Sequence, residues 1–536
     1  MTPYYVTTPI YYVNDRPHIG HCFTSLVGDV AARFMRLLQG GGVFFLTGTD
    51  EHADKVVTSA AQHFMSPIEW ADRNAAEFRR AFAFMDFTND DFIRTTEDRH
   101  KSKVEEYIRE LQERGDVYLG DYVGWFDESQ EEYLTETVAK ESKFGPYTSP
   151  VTGKPLVKRT EKNYFFRLSA YERRLADHIA SNPRFILPEA RRNEVLGRLR
   201  QGLQDIPISR AVTDDPSSQW GIRMPDDQGH RIYVWIDALF NYLTVVDTPE
   251  RKGFWPPAVH TMAKDILWFH AVIWPCMLMA LGRPLPRTVF AHSYWVREGV
   301  KMSKSLGNFV TLEVLQAYAS KYSLDAVRWY LITQGPMSTT DADFSHAKFV
   351  EVYNAELANG LGNSTSRVSN MIAKYFDGKV PAPGRLPAGA PGADVDFAAL
   401  CSGAVARAVS RAEVMDLGGS LQEGVALVRQ VDQYINITAP FKLAKLVEAE
   451  PARRAELGAI LYNCAETLRI ASVLMSPALT RKCPELWAQW NCAPAAGATL
   501  KDLCAFGGAH ALRESQSVVK GEALFMRADA AEAAPA

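Results

Sequence analysis

The strongest constraint on the fold lies in residues 4–64, where strand-like and helix-like stretches alternate without interruption. "YYVTTPIYYV" is aromatic and β-branched, an amphipathic run follows from His21 to Leu38, "GGVFFLTGTD" is strand-like again, and Glu51 to Phe64 has helical spacing. Strands joined through helices run parallel, so this pattern predicts an α/β protein with a doubly wound, Rossmann-like parallel sheet. Ligands of such sheets sit at the carboxyl ends of the strands, where the strand order reverses. The segment directly behind the first strand is therefore the first place to look for chemistry.

That segment is "PHIGH", Pro17 to His21. At the start of a helix, His18 and His21 share one face of the first turn, and the free N–H groups and dipole there favour a phosphate. Gly20 lets a flat base or ribose approach the backbone, and the imidazoles can donate to oxygens whose charge grows in a transition state. An isolated HxGH fits equally a helix start that merely contains histidines. A second element lies some 280 residues on: "GVKMSKSLG", Gly299 to Gly307, sets two lysines three apart among small, flexible residues. Alone it also fits a solvated surface loop.

Aromatic residues recur at spacings that converge on a pocket. Trp235 and Tyr242 are seven apart, and His270 and Trp274 four apart, so each pair can occupy one side of a helical element, with Tyr12 from the first strand. The same spacings suit plain core. Asp50, after Thr49, fits either a helix N-cap or a partner for an ammonium group.

A chain of 536 residues implies two to four domains. The α/β pattern of residues 1–114 gives way over 115–210 to short aromatic and polar runs with turn signals, an inserted β-rich module. It resumes over 211–296 as the second half of the same sheet, and 297–350 forms a linking α/β region. From 351 to 520 nearly every window has helical periodicity, interrupted by the Pro/Gly-rich loop "GKVPAPGRLPAGAPGAD". Residues 521–536 form a C-terminal tail, whose Ala-rich end "RADAAEAAPA" is expected to be frayed. No internal repeat is present.

Net charge is −4, so a nucleic acid must meet a local basic patch and not a global field. Seven cysteines with no CxxC pair argue against a disulfide framework and a zinc knuckle, and point to a reducing compartment. The start shows no basic and apolar leader, which leads us to expect a cytoplasmic or already processed chain. "ILWFHAVIWPCMLMALG" approaches the roughly 17–25 residues of a membrane span. His270 and Pro275 inside it favour a buried helix lining a site, so no membrane is expected.

Jointly, His18-Ile19-Gly20-His21 and Lys301-Met302-Ser303-Lys304-Ser305 resemble the two signatures of class I aminoacyl-tRNA synthetases. The resemblance implies ATP, as its Mg2+ complex, bound between them: His18, Gly20 and His21 on one side, Lys301, Ser303 and Lys304 neutralising the departing pyrophosphate. The chemistry suits these residue types. A carboxylate is already a nucleophile, so attack on the α-phosphorus needs alignment and positive donors, not a triad.

"PIYYVN", "TGTDEH", "YVWIDA" and "KDILWFHAVIWP" further resemble blocks of the methionyl-tRNA synthetases, from about Thr2 to Ala444 in order. The resemblance implies that Ile10, Tyr12, Trp235, Tyr242, Ile266, His270 and Trp274 enclose a methionine side chain. Asp50 would hold its ammonium group, with Arg210 and Asp265 in support. A polarisable thioether suits aromatic walls. Leu239 departs from the family, where many members carry proline. The insertion is too short for the editing module of the branched-chain enzymes, and without editing a one-methylene difference is worth only about 1–3 kcal/mol, so a chemically distinctive cargo fits better. No cysteine lies between Cys22 and Cys276, and His178 with carboxylates does not supply four tetrahedral zinc ligands in the insertion, so the chain resembles the zinc-free subgroup.

In the helical region Asn359, Asn363 and Arg367 recur every four residues, while Leu357, Leu361, Val368, Ile372 and Phe376 take an apolar face. A polar row is ordinarily a solvated face, yet amides and a guanidinium suit base edges. The resemblance assigns this row, with Phe441 of "TAPFKLAK", to the CAU anticodon of methionine tRNA. Phe441 stands where the family commonly has tryptophan. We therefore expect a monomeric methionine–tRNA ligase. The competing readings are a small-molecule nucleotidylyltransferase, which leaves the helical domain unexplained, and a non-catalytic tRNA-binding paralogue, which would have lost the signatures.

Overall fold

The structure, a computed structural model, describes residues 3–536 except 130, 131, 135, 298, 303–307, 520, 530–532 and 536. Its centre is a parallel sheet of six strands: β1 (Tyr4–Tyr12), β2 (Val43–Asp50), β3 (Asp91–Arg94), β4 (Ile186–Leu187), β5 (Val259–Ala263) and β6 (Thr288–His292). Their spatial order is β3-β2-β1-β5-β6-β4, and every pair is parallel. The order reverses between β1 and β5, which fixes the binding crevice there.

Both faces are covered, as an all-parallel sheet requires. Alternate residues serve opposite cores: Tyr5, Leu46 and Val289 pack with Ile236, Trp274 and Met277 on one side. Val6, Phe45 and Phe290 pack on the other with α1 (Ile19–Gln39). Pro9 interrupts β1. It has no N–H to give a ladder, and the β1–β2 register shifts between Thr7 and Ile10. β1 pairs with β5 only at Val6 and Thr7, then continues beside β2 alone as Ile10, Tyr11 and Tyr12. The crevice opens where β1 leaves β5.

The insertion contains an antiparallel sheet of Glu132–Leu134, Val117–Asp127, Val157–Phe166 and Ile206–Pro207, in that order. It is not wholly separate, because Ile186–Leu187 within it returns to the main sheet as its edge strand. Two residues carry no period, so the sequence did not disclose this strand. The helix expected from Glu51 begins at Asp54.

The helical domain shares its core with α1 and does not form a second one: Val27 and Phe34 of α1 belong to the same cluster as Trp329, Leu421 and Leu461. Its long helix Arg453–Met475 is the one described helix of a length and apolarity to cross a membrane, and 94% of its apolar window is buried in the protein. At the junction lies Arg328, fully buried. Its guanidinium donates to Asp29 Oδ2 of α1 at 2.7 Å and to the carbonyls of Met85, Pro477 and Ala478 at 2.6, 3.0 and 3.0 Å. Asp29 also accepts from Arg33 and from Thr88, and although burial opposes its charge, Arg328 and Arg33 hold its carboxyl below the usual range.

The tail is tied to the bundle just before the stretch expected to fray, and at Ala528 within it. Leu524 and Phe525 are buried, the Tyr353 hydroxyl donates to the Met526 carbonyl at 2.6 Å, and Asn354 exchanges two hydrogen bonds with Ala528. Two buried apolar side chains and three hydrogen bonds tie this segment to the bundle.

Candidate active site

α1 begins in an unusual cap. His18 is its N-cap residue: His18 Nδ1 accepts the Gly20 N–H at 3.1 Å, and His21 Nδ1 accepts the His18 N–H at 3.2 Å. The two rings lie 3.9 Å apart, centroid to centroid. An accepting Nδ1 carries no proton, so both imidazoles are neutral with their N–H at Nε2. The backbone has set two side chains as Nε2 donors. A Cβ on Gly20 would sit 2.9 Å from His18 Cε1, so the glycine is needed for the His18 ring itself.

The segment after the lysine-bearing loop meets this cap. His18 forms a bridge with Thr311, the Ile19 N–H donates to the Val310 carbonyl at 3.1 Å, and Phe309 lies 4.9 Å from the His18 ring. On the other flank, Lys301 pairs with Val296 in a short antiparallel ladder and Met302 is buried in the core. Ser303 and Lys304 lie outside the described residues.

Behind the cap opens a cavity of about 610 Å³, lined by Ile10, Tyr12, His18, Gly20, His21, Asp50, Trp235, Tyr242, Asp265, Ile266 and His270, all named from the sequence. A wider groove of about 1060 Å³ follows 379–385 and 450–456 of the helical domain and contains none of them. The Tyr242 hydroxyl donates to His270 Nε2 at 2.8 Å, and His270 Nδ1–H donates to the Ile266 carbonyl at 2.9 Å. Burial pushes His270 down to about 4, so this wall is neutral. Asp50 ends β2 facing the cavity. The following helix is capped by Ala53 instead, so the N-cap reading of Asp50 falls.

Two named residues stand elsewhere. Trp274 is fully buried behind Tyr242, centroids 6.1 Å apart, and does not line the cavity. It packs instead into the core against Phe240 and Trp255, at the start of the helix Trp274–Ala280 that follows the π-wound stretch Phe269–Ile273. Arg210 lies on the short strand Ser209–Ala211 with its guanidinium 4.0 Å over the Tyr233 ring, outside the cavity lining.

Other contributors escaped the sequence reading. Phe269 stacks on Trp235 at 4.1 Å, and Tyr12 meets the same indole edge-on at 5.9 Å. His292, at the end of β6, accepts from Thr24 of α1 at 2.8 Å and donates from Nδ1 to the Ser293 carbonyl. The carboxyl end of "TVFAH" was the available signal. Beneath the Trp235 helix, Val234–Leu239, Asp237 is buried between His52 Nδ1 at 2.6 Å and His100 Nε2 at 2.7 Å. Burial opposes its charge, but His52 and His100 hold its carboxyl down at about 2.

The buried neutral histidines make stability pH-dependent. Burial lowers both His270 and His292 from 6.5 to about 4, so the unfolded chain takes up their protons first as pH falls. Their stabilisation is complete above pH 6.5 and is lost towards pH 4, by about 3 kcal/mol each. Urea midpoints should fall steeply between pH 7 and 4.5, and a flat profile would contradict neutral burial.

The geometry has a counterpart in known proteins. A family model described as "tRNA synthetases class I (M)" matches residues 4–143 and 144–369. A methionine–tRNA ligase of Streptomyces coelicolor is 39% identical over 548 residues, covering 99% of this chain and 98% of its own.

This chain belongs to the methionyl-tRNA synthetase family of class I.

A Bacillus subtilis methionine–tRNA ligase is likewise 39% identical, over 99% of this chain and 78% of its own. The Mycobacterium tuberculosis methionyl-tRNA synthetase bound by methionyl-adenylate superposes with a TM-score of 0.88 at 35% identity, over 98% of this chain and 100% of that one.

On the helical domain, Asn359 and Asn363 are exposed and Arg367 half-buried, while Leu357, Leu361, Val368 and Ile372 are buried. The helix is not continuous: Tyr353–Gly362 is π-wound and Gly360 leaves helical geometry. Phe441 is 46% exposed on Pro440–Leu446, after a left-handed Ala439 that turns the chain. Among the described residues no three His, Cys, Asp or Glu side chains gather as metal ligands.

Proposed function

We propose that this chain is a monomeric, cytoplasmic methionine–tRNA ligase. It converts methionine and Mg-ATP to methionyl-adenylate and pyrophosphate, then passes the acyl group to the terminal adenosine of methionine tRNA. The observation that carries this reading is the shared crevice, where two Nε2-donor histidines stand beside a neutral aromatic slot.

The slot is walled by Ile10, Tyr12, Trp235, Phe269, Tyr242 and His270, and a thioether gains about 0.3–1.5 kcal/mol from each ring it touches. Asp50 takes the ammonium group, which aims the methionine carboxylate at the α-phosphorus. His18 and His21 donate to the phosphate oxygens as charge accumulates, at the positive end of α1. Magnesium accompanies ATP as part of the substrate and offsets its charge. Lys301 and Lys304 receive the departing pyrophosphate, Gly20 and Ser303 complete the ATP site, and Asp265, Arg210 and Trp274 support the slot from around and behind it.

Asn359, Asn363 and Arg367 then read the CAU anticodon, and Phe441 stacks on a base. The insertion works without zinc, and stoichiometric zinc in the purified protein would contradict that. ATP–pyrophosphate exchange across a panel of amino acids tests the whole reading: methionine alone should support it. Exchange with leucine or isoleucine at a similar rate, or with no amino acid, would overturn it. Phe441→Ala should lower charging efficiency by about 5–150-fold, the worth of one base stack, and unchanged efficiency would remove Phe441 from the interface.

A further inference from the structure

The polar row of the helical domain contains an ion pair that its sequence spacing does not reveal. Arg367 reaches across to Asp432 on the adjacent helix Leu417–Thr438, with Nη1 donating to Oδ1 at 3.3 Å. Ser364, one turn before Arg367 and fully buried, donates its hydroxyl to the same carboxylate oxygen at 2.9 Å. Asp432 is thus held from the core side by Ser364 and meets Arg367 on its outer side. The Arg367 side chain is 37% exposed and commits one N–H to this carboxylate, leaving its other N–H groups for a partner.

A half-exposed ion pair contributes little to stability, and a carboxylate on a surface that must meet RNA phosphates works against non-specific attraction. Its value lies elsewhere. A guanidinium on a flexible stem loses rotamer freedom when it engages a base edge, and one already fixed loses less. We propose that Asp432, braced by Ser364, is a positioning residue for anticodon recognition: it holds the Arg367 guanidinium in the orientation in which its remaining donors meet a base edge. This rests on the assignment of Arg367 to the anticodon interface made above.

The test is steady-state charging of a methionine tRNA transcript and of a transcript with an altered anticodon. Asp432→Ala should raise KM for the methionine tRNA by about 3–10-fold, leave kcat unchanged, and narrow the preference over the altered transcript. ATP–pyrophosphate exchange without tRNA should stay at the wild-type rate, which reports an intact fold. Asp432→Asn should restore KM to within about twofold, since its amide oxygen still accepts from Ser364 and Arg367. If Arg367→Gln raises KM while Asp432→Ala does not, the positioning role is overturned and the anticodon interface stands. If Asp432→Ala lowers KM, Asp432 is a repulsive charge and the proposal fails. If Arg367→Gln and Asp432→Ala both leave KM and anticodon preference unchanged, the interface assignment itself fails, and the positioning role with it.

Discussion

His21→Asn should slow ATP–pyrophosphate exchange by roughly 10²–10³-fold, equivalent to about 3–4 kcal/mol of transition-state stabilisation, with little loss of stability. The structure makes this substitution selective. His21 Nδ1 accepts the His18 N–H, and an asparagine oxygen reaches the same position, so the cap of α1 survives. What is lost is the Nε2 donor. His21→Gln is the complementary variant: its amide extends to where Nε2 stood, so it keeps an outer donor while loosening the cap. Glutamine should therefore retain more exchange activity than asparagine but unfold more readily. Near-normal exchange by the asparagine variant would remove His21 from the phosphate site.

The largest stability effect should come from Arg328→Met. Methionine matches the stem but leaves Asp29 without its fully buried partner, and the Met85, Pro477 and Ala478 carbonyls without a donor. Breaking one side of a buried pair costs about 3–5 kcal/mol. Arg33 and Thr88 still reach Asp29, so the lower end applies to the carboxylate, and the three carbonyls add to it. The double variant Asp29→Leu with Arg328→Met should recover part of the loss, because no buried charge remains. A urea midpoint for Arg328→Met within experimental error of the wild type would contradict the burial of an ionised pair. Because Asp29 belongs to the helix that begins with His18 and His21, the variant should also impair exchange at temperatures where the fold is retained.

Most of the lining of the candidate crevice was legible because it follows the ends of strands and the motifs beside them. A parallel sheet places ligands behind its strands, which singled out the segment after β1, and through the family resemblance Ile10, Tyr12, Asp50, Asp265 and Ile266 could be placed along the cavity lining. Trp274 could not. Its spacing of four from His270 suits the slot and the core behind it equally, and only its packing against Phe240 and Trp255 separates the two. A π-wound turn leaves no mark in composition either, and the one at Tyr353–Gly362, with Gly360 out of helical geometry, interrupts the polar row that looked regular at spacings of four. Long-range pairs were beyond reach for another reason: Asp237 meets His52 and His100 across 185 and 137 residues. Nothing near any of the three announces the other two. Arg328 illustrates the point at the domain level, since helical periodicity marks where a bundle begins but not whether it keeps a core of its own.

The interruption at Pro9 has a consequence for what this chain can tolerate over time. Past the proline, Ile10 and Tyr12 turn towards the aromatic slot while Tyr11 packs among Phe78 and Phe82 on the other side. Side chains in a strand alternate with a period of two, so losing or gaining a single residue between Pro9 and Asn14 would exchange these two sets at once. Substitutions in this segment can be judged one by one, by size and polarity. A change in its length cannot, and the stretch should drift in composition while its residue count stays invariant.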